Sequence, residues 1–153
     1  MGSLCIRPYI GHRGRTMSQS YKECRAPNKE STSKRIIELE AILEEVMTVL
    51  PANSASLALL NPDTSELEIE VGRGLDEHSL GFSLPMGQGI TGWVALHGEP
   101  LLIPDVSKDS RYHLIKESIR SEMAAPLEER GRIVGVLNVD ADQVAEPRYG
   151  KVA

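Results

Sequence analysis

The chain is short of the residues that usually announce a chemistry. It has two cysteines, Cys5 and Cys24, among 153 residues. Two thiols near one end build no disulfide framework and cannot complete a four-cysteine zinc site. No histidine or acid cluster in the sequence stands beside either to activate it, so both read as mobile surface thiols. Cysteine this sparse makes the cytoplasm the expected compartment. Aromatic residues are 4% of the chain, with one Trp and one Phe. No apolar run approaches the ~18 residues of a membrane span, and the start carries no apolar segment with a small-residue cleavage site. No membrane partner is expected. Positive charge is short as well: 17 basic against 22 acidic residues leave a net charge of −5. Phosphate-binding surfaces are positive, so no nucleic-acid partner is expected either. What is present, 41% hydrophobic and 25% charged, is ordinary for one packed domain.

Residues 1–30 mix Gly, Arg, Ser, Pro and Asn without apolar periodicity and read as a flexible leader, with Met17 as a second candidate start. A helix is expected over 33–50. There Ile36, Leu39, Leu43, Val46 and Leu50 form a seam at helical spacing, Ser31 or Ser33 offers a cap, and Pro51 enforces the stop. The seam is too short to be stable alone, so it packs either on its own sheet or on a second copy of the chain. Ser54 to Leu60 is compatible with a strand, and Asn61-Pro62-Asp63-Thr64 is turn chemistry. Glu66 to Val71 alternates acid and apolar residues, the pattern of an antiparallel strand with three glutamates on a wet face. Residues 75–85 read as a loop or short helix. A short helix is expected over Ile90–His97, then an extended segment through Leu101–Val106 with Pro104 near its end. A helical turn is expected around Tyr112, Leu114, Ile115 and Ile119. Ser121–Leu127 and Ile133–Val139 are the last strands, joined by a polar turn. Hairpins with helices between them imply an α+β fold.

Gly87-Gln88-Gly89-Ile90-Thr91-Gly92 has the spacing of a dinucleotide-binding loop. That loop requires a buried parallel strand before it. Pro85 is disfavoured in such a strand, so the glycines are expected to let a turn pack tightly against the next helix.

Several blocks together resemble the GAF domain family. They are Leu84-Pro85-Met86-Gly87-Gln88-Gly89-Ile90-Thr91-Gly92-Trp93-Val94, Gly98-Glu99-Pro100, Ile103-Pro104-Asp105-Val106, Asp109-Ser110-Arg111-Tyr112, Ser121 to Leu127 and Gly135 to Asp140, in the family's order and spacing. The resemblance covers residues 33–142. It implies an antiparallel six-stranded sheet with helices on both faces, terminal helices that commonly dimerise, and a small-molecule pocket under loops on the other side. On this basis residues 31–142 are the domain and 143–153 an irregular tail. Pro147 and Gly150 interrupt the place where the family usually closes with a helix.

Some GAF proteins reduce free methionine sulfoxide with core cysteines, and bilin-carrying members attach the pigment through one. Positions 25–153 contain no Cys, and the Asn-Lys-Phe-Asp-Glu signature of cyclic-nucleotide binders is absent. His78, His97 and His113 are isolated in sequence, so no metal site is expected, and no cofactor is indicated. Asp140 and Asp142 flank a strand end and could bind a cation, but read by default as solvated acids. The expectation is therefore a non-enzymatic regulatory domain with no catalytic residues.

The residues placed at the ligand are Trp93, Asp105, Arg111, Tyr112 and Ser121. Trp93 is either a core residue or a wall of the pocket with its indole N–H free to donate. Arg111 and Tyr112 on the capping loop could hold an anionic or polar ligand, or Arg111 could instead fix the loop by pairing with Asp105 or Asp109. The leading reading is a sensory domain that binds an unidentified small molecule and signals through a homodimer made by Ile36, Leu39, Leu43, Val46 and Leu50. A ligand-free dimerisation module and a redox enzyme like the sulfoxide reductases are the rivals.

Overall fold

A computed structural model describes residues 29–112 and 117–145. Residues 1–28 of the expected leader with both cysteines, the segment with His113, Leu114 and Ile115, and the tail beyond residue 145 lie outside the described residues, while residues 29 and 30 belong to a helix and not to the leader. Helix α1 covers Lys29–Val49. It begins earlier than the apolar seam suggests, because Lys29 to Thr32 are polar and leave no mark on a hydrophobic period. Strands β1 (Ser54–Asn61) and β2 (Glu66–Arg73) follow as a hairpin. A short 3-10 turn at Glu77–Ser79 leads to β3 (Ser83–Pro85), a strand within the 75–85 segment expected as a loop or short helix. Helix α2 is Gly89–His97, β4 is Leu101–Ile103, and a second 3-10 turn spans Val106–Lys108. Strands β5 (Ser121–Glu129) and β6 (Arg132–Ala141) close the described fold. Their hairpin narrows to Arg130 and Gly131, both left-handed at φ 51° and 74°.

The strands form one six-stranded sheet in the order β3-β2-β1-β6-β5-β4, antiparallel throughout. Helix α1 covers one face and α2 the other, the α+β architecture that the family resemblance implied. Under α1 lie Ala55, Leu57, Val71 and Val139 of the sheet, with Leu43 of the helix buried against them. Against the opposite face pack Ile90, Val94 and Ala95 of α2, with Ala58, Leu67 and Val136 of the sheet.

The seam of α1 is turned onto its own sheet. Leu43 is fully buried, and Ile36, Leu39, Val46 and Leu50 pack around the same cluster. The apolar residues that α1 leaves exposed are others: Ile37, Ile42 and Val49. Ion pairs add a second tie to β2. Arg35 bonds Glu70 at 2.8 Å, and Arg73 lies 3.6 Å from Glu44.

The acid/apolar alternation of β2 does not run unbroken. Leu57 pairs with Val71 but Ala58 pairs with Ile69, so Glu70 is an extra residue in a bulge. The bulge reverses the phase of the strand. Leu67 packs on the α2 side and Val71 on the α1 side. The three glutamates therefore do not share one uniform wet face, and Glu70 is drawn to Arg35 instead.

The glycine string is a turn and not a nucleotide loop. The strand before it, β3, is an edge strand antiparallel to β2, so no parallel unit exists there. Gly87 and Gly89 hold φ of 85° and 65°. A Cβ on Gly92 would meet the Pro85 carbonyl oxygen at 2.7 Å. Gly92→Ala is expected to destabilise the fold by about 1–3 kcal/mol in chemical denaturation, and Leu43→Ala by about 2–5 kcal/mol. An unchanged midpoint in the first variant would mean that the turn relaxes without cost.

Candidate functional site

Helix α1 covers one face of the sheet, and the covering segment before α2 encloses space on the other. A cavity of about 70 Å³ lies there, between the sheet and the segment that connects β2 to α2. Its apolar wall includes Leu67 and Ile69 of β2 with Leu75, Phe82 and Leu84 of the covering segment. Its polar end is built by period-2 alternation. Ser54 and Ser56 project from β1, Asn138 and Asp140 from β6, and Thr91 enters from the first turn of α2. Register sets the pairs directly opposite each other, Ser54 with Asp140 and Ser56 with Asn138.

The polar groups hold one another in place. Asn138 Nδ2 donates to Asp140 Oδ1 at 3.1 Å, and Ser54 Oγ donates to Asp140 Oδ2 at 3.2 Å. That orientation leaves Asn138 Oδ1 buried with no hydrogen-bond partner. Glu122 stands one rung away on β5, paired with Asp140 across the β5–β6 ladder and also buried. Burial pushes its carboxyl up to about 8, the negative charges of Asp140 and Asp109 push the same way, and a Thr91 hydrogen bond opposes them. At neutral pH Glu122 therefore carries a proton.

The residues expected at the ligand from sequence lie outside this cavity. Arg111 grips Asp109 with two bonds, Nε to Oδ1 at 2.9 Å and Nη2 to Oδ2 at 2.6 Å. The guanidinium holds the Asp109 carboxyl below its ordinary value. Of the two roles open to Arg111, the structure displays the one that fixes the loop. The same guanidinium lies 5.0 Å from the Trp93 ring centre, and Trp93 stacks on His97 with centroids 4.0 Å apart. Trp93 and Tyr112 both pack against the α2-side core. Trp93, Arg111 and Tyr112 thus share one region beside the cavity. Asp105 does not join them: it accepts from Ser107 and pairs with Lys108 at 2.9 Å, which draws its carboxyl down to about 2. Ser121 donates to the Gln143 carbonyl oxygen at 2.8 Å and does not line the cavity.

Asp140 corrects the reading of a solvated acid. Strand β6 extends through Ala141, so Asp140 is internal to a ladder and buried. The signal was in the sequence as Ser-x-Ser at one strand and Asn-x-Asp at another, polar residues at period 2 inside apolar runs. Among the described residues no group of three or more His, Cys, Asp or Glu is arranged to hold a metal ion.

A family model described as GAF domain matches residues 38–150. The chain belongs to the GAF domain family. GAF domain-containing protein A of Dictyostelium discoideum is 34% identical over 58 residues, which cover 38% of this chain and 37% of that protein. The chain thus matches well under half the length of that curated relative. In solved structures the fold resembles type II free methionine-R-sulfoxide reductase from Thermoplasma acidophilum, with TM-score 0.67, 19% identity, and coverage of 74% of this chain and 79% of that one. It also resembles the GAF domain of the Acinetobacter phosphoenolpyruvate-protein phosphotransferase, with TM-score 0.65, 22% identity, and coverage of 76% and 78%. The reductase likeness corrects the expectation of a non-enzymatic domain. The same architecture carries catalysis in that protein, so neither the GAF fold nor membership of the family excludes an enzyme.

Two expectations follow from the geometry. Glu122 binds a proton in the folded chain that it releases on unfolding anywhere between its ordinary value near 4.5 and about 8. Stability should therefore fall as pH rises through that window, by at most ~1.4 kcal/mol per unit, and Glu122→Gln should remove that slope. Denaturation midpoints from pH 5 to 8 measure it, and an identical slope in both proteins would mean that Glu122 ionises freely. Arg111→Ala should lower the melting temperature of the ligand-free protein, because it releases Asp109 and uncovers Trp93.

Proposed function

We propose that the chain is a sensory or regulatory domain that takes a small molecule into the cavity over β1 and β6. The supporting observation is the cavity itself, apolar along its sides and polar at one end, which is the usual composition of a small-molecule site. Its volume of about 70 Å³ admits only a small group while the covering segment is in place. That segment is tied to β2 by Gly81 N–H to Ile69 O at 3.0 Å and Ile69 N–H to Phe82 O at 3.1 Å. A larger ligand would enter by lifting it.

Strand β2 offers the route by which occupancy would reach α1. It carries Leu67 and Ile69 in the cavity wall, and Glu70, Val71 and Arg73 in contact with the helix. Coupling of this kind requires that the ligand bind two states of the assembly unequally. Self-association would use the exposed residues Ile37, Ile42 and Val49, since Ile36, Leu39, Leu43, Val46 and Leu50 are engaged with the sheet. The cytoplasmic placement belongs to the same proposal; among the described residues no helix is long and apolar enough to cross a membrane. The small volume of the cavity also favours a second reading, a closed interaction module that binds no ligand.

Thermal shift against a library of small polar metabolites separates the two. A ligand should raise the melting temperature of the parent. Ser56→Met, which fills the polar end of the cavity, should abolish that rise. No stabilisation by any compound, and no small molecule released from the purified protein in mass spectrometry, would favour the closed module.

A further inference from the structure

We infer that the polar end of the cavity is a site for the head of a neutral primary carboxamide, its N–H on Asn138 Oδ1 and its carbonyl oxygen on the Ser56 hydroxyl. This rests on the small-molecule reading above and names the class of ligand.

An acceptor without a proton sets the first requirement. Asn138 is nine-tenths buried and lines the cavity. Its Nδ2 donates to Asp140 Oδ1, and this bond fixes which way round the amide lies. A carboxylate accepts and does not donate, so turning the amide over would set two acceptor oxygens against each other. Oδ1 is therefore held as an acceptor, buried and without a partner. Such a group costs free energy until an N–H or O–H reaches it, and the ligand must supply that donor. In the closed form Oδ1 is sealed from water. The donor arrives with the covering segment lifted, the movement that entry of a larger ligand already calls for.

The neighbouring strand sets the second requirement. Ser56 on β1 is paired directly with Asn138 on β6, and it too lines the cavity. Side chains of such a pair stand about 5 Å apart at Cβ. An acceptor fixed by its neighbour thus lies next to a hydroxyl, which donates as well as accepts. The ligand edge that matches them carries one donor and one acceptor side by side.

A primary carboxamide has that edge, because one of its N–H bonds lies on the same side as its carbonyl oxygen. Other small polar heads meet one requirement and miss the other. A ketone or a carboxylate brings no donor to Asn138 Oδ1, and an ammonium group brings no acceptor to Ser56. An alcohol has to meet both groups through one oxygen. With the carboxamide seated on the pair, its alkyl part runs along Leu67 and Ile69 in the apolar wall.

The test uses propionamide at millimolar concentration against butanone, in which a methyl group replaces the NH2 at nearly the same volume. 1-Propanol, sodium propionate and propylammonium chloride are the further controls, at matched ionic strength. The backbone and side-chain amide resonances of Asn138 report occupancy. Propionamide should shift them saturably and bind at least about tenfold more tightly than butanone, the loss expected when a buried acceptor stays unpaired. Ser56→Ala should weaken propionamide about fivefold through the loss of one hydrogen bond. If that variant fails to fold, the five probes on the parent carry the test alone. Butanone binding as tightly as propionamide would overturn the donor to Asn138. Propanol, propionate or propylammonium binding as tightly would overturn the carboxamide, and all of these leave the small-molecule reading intact. An unchanged affinity in Ser56→Ala would overturn the second contact. No saturable shift from propionamide would overturn the carboxamide site, and the thermal-shift screen then judges the small-molecule reading by itself.

Discussion

The register between β1 and β6 is the constraint from which the rest of this domain follows. These central strands serve two cores at once. Ala55, Leu57 and Val139 point to α1, while Ala58 and Val136 point to α2. The same alternation lines up Ser54 with Asp140 and Ser56 with Asn138 on the α2 side. A slip of one residue would put a carboxylate beneath α1 and a leucine in the cavity, reversing every environment together. The fold and the polar site are thus one solution to one pairing problem. The bulge at Glu70 extends it to the next strand, because it lets β2 give Leu67 to one core and Val71 to the other.

Much of this was legible in the sequence. Helical spacing located α1, alternation and turn residues located the β1–β2 hairpin, and the long apolar run located β6. The ordered motifs gave the GAF architecture. What escaped has physical reasons. Strand β3 is three residues at an edge, too short to show a period. The bulge adds a residue without altering the visible alternation of β2. The residues that the sequence singled out on the capping loop stand beside the cavity and not in its wall: Asp105 caps a turn and Arg111 binds its neighbour Asp109. The residues that do face the cavity are small and polar within strands. Asp140 in particular reads as a strand-ending acid until its partner across the ladder is known.

Membership of the GAF family sets the architecture and leaves the chemistry to a handful of side chains. A sulfoxide reductase and a domain of a phosphotransferase system share this sheet at TM-scores of 0.67 and 0.65, at identities of 19% and 22%. Identity that low is compatible with a common backbone and unrelated sites. In this chain the sheet presents acids and an amide, Glu122, Asp140 and Asn138, where it faces α2. Ser54 and Asn138 both bond Asp140 and so help to order this group.

The layered arrangement of His97, Trp93 and Arg111 has an optical consequence. Trp93 is the only tryptophan in the chain, so its ring is the sole indole fluorophore. Its ring contacts the His97 imidazole and the Arg111 guanidinium, at 4.0 Å and 5.0 Å. Indole emission responds to charge and polarity at such distances. The guanidinium is anchored through Asp109, whose charge acts in turn on Glu122. Trp93, Arg111, Asp109 and Glu122 thus form one chain of contacts and charge interactions. The domain carries an unlabelled spectroscopic reporter a few side chains from the place where its ligand would sit.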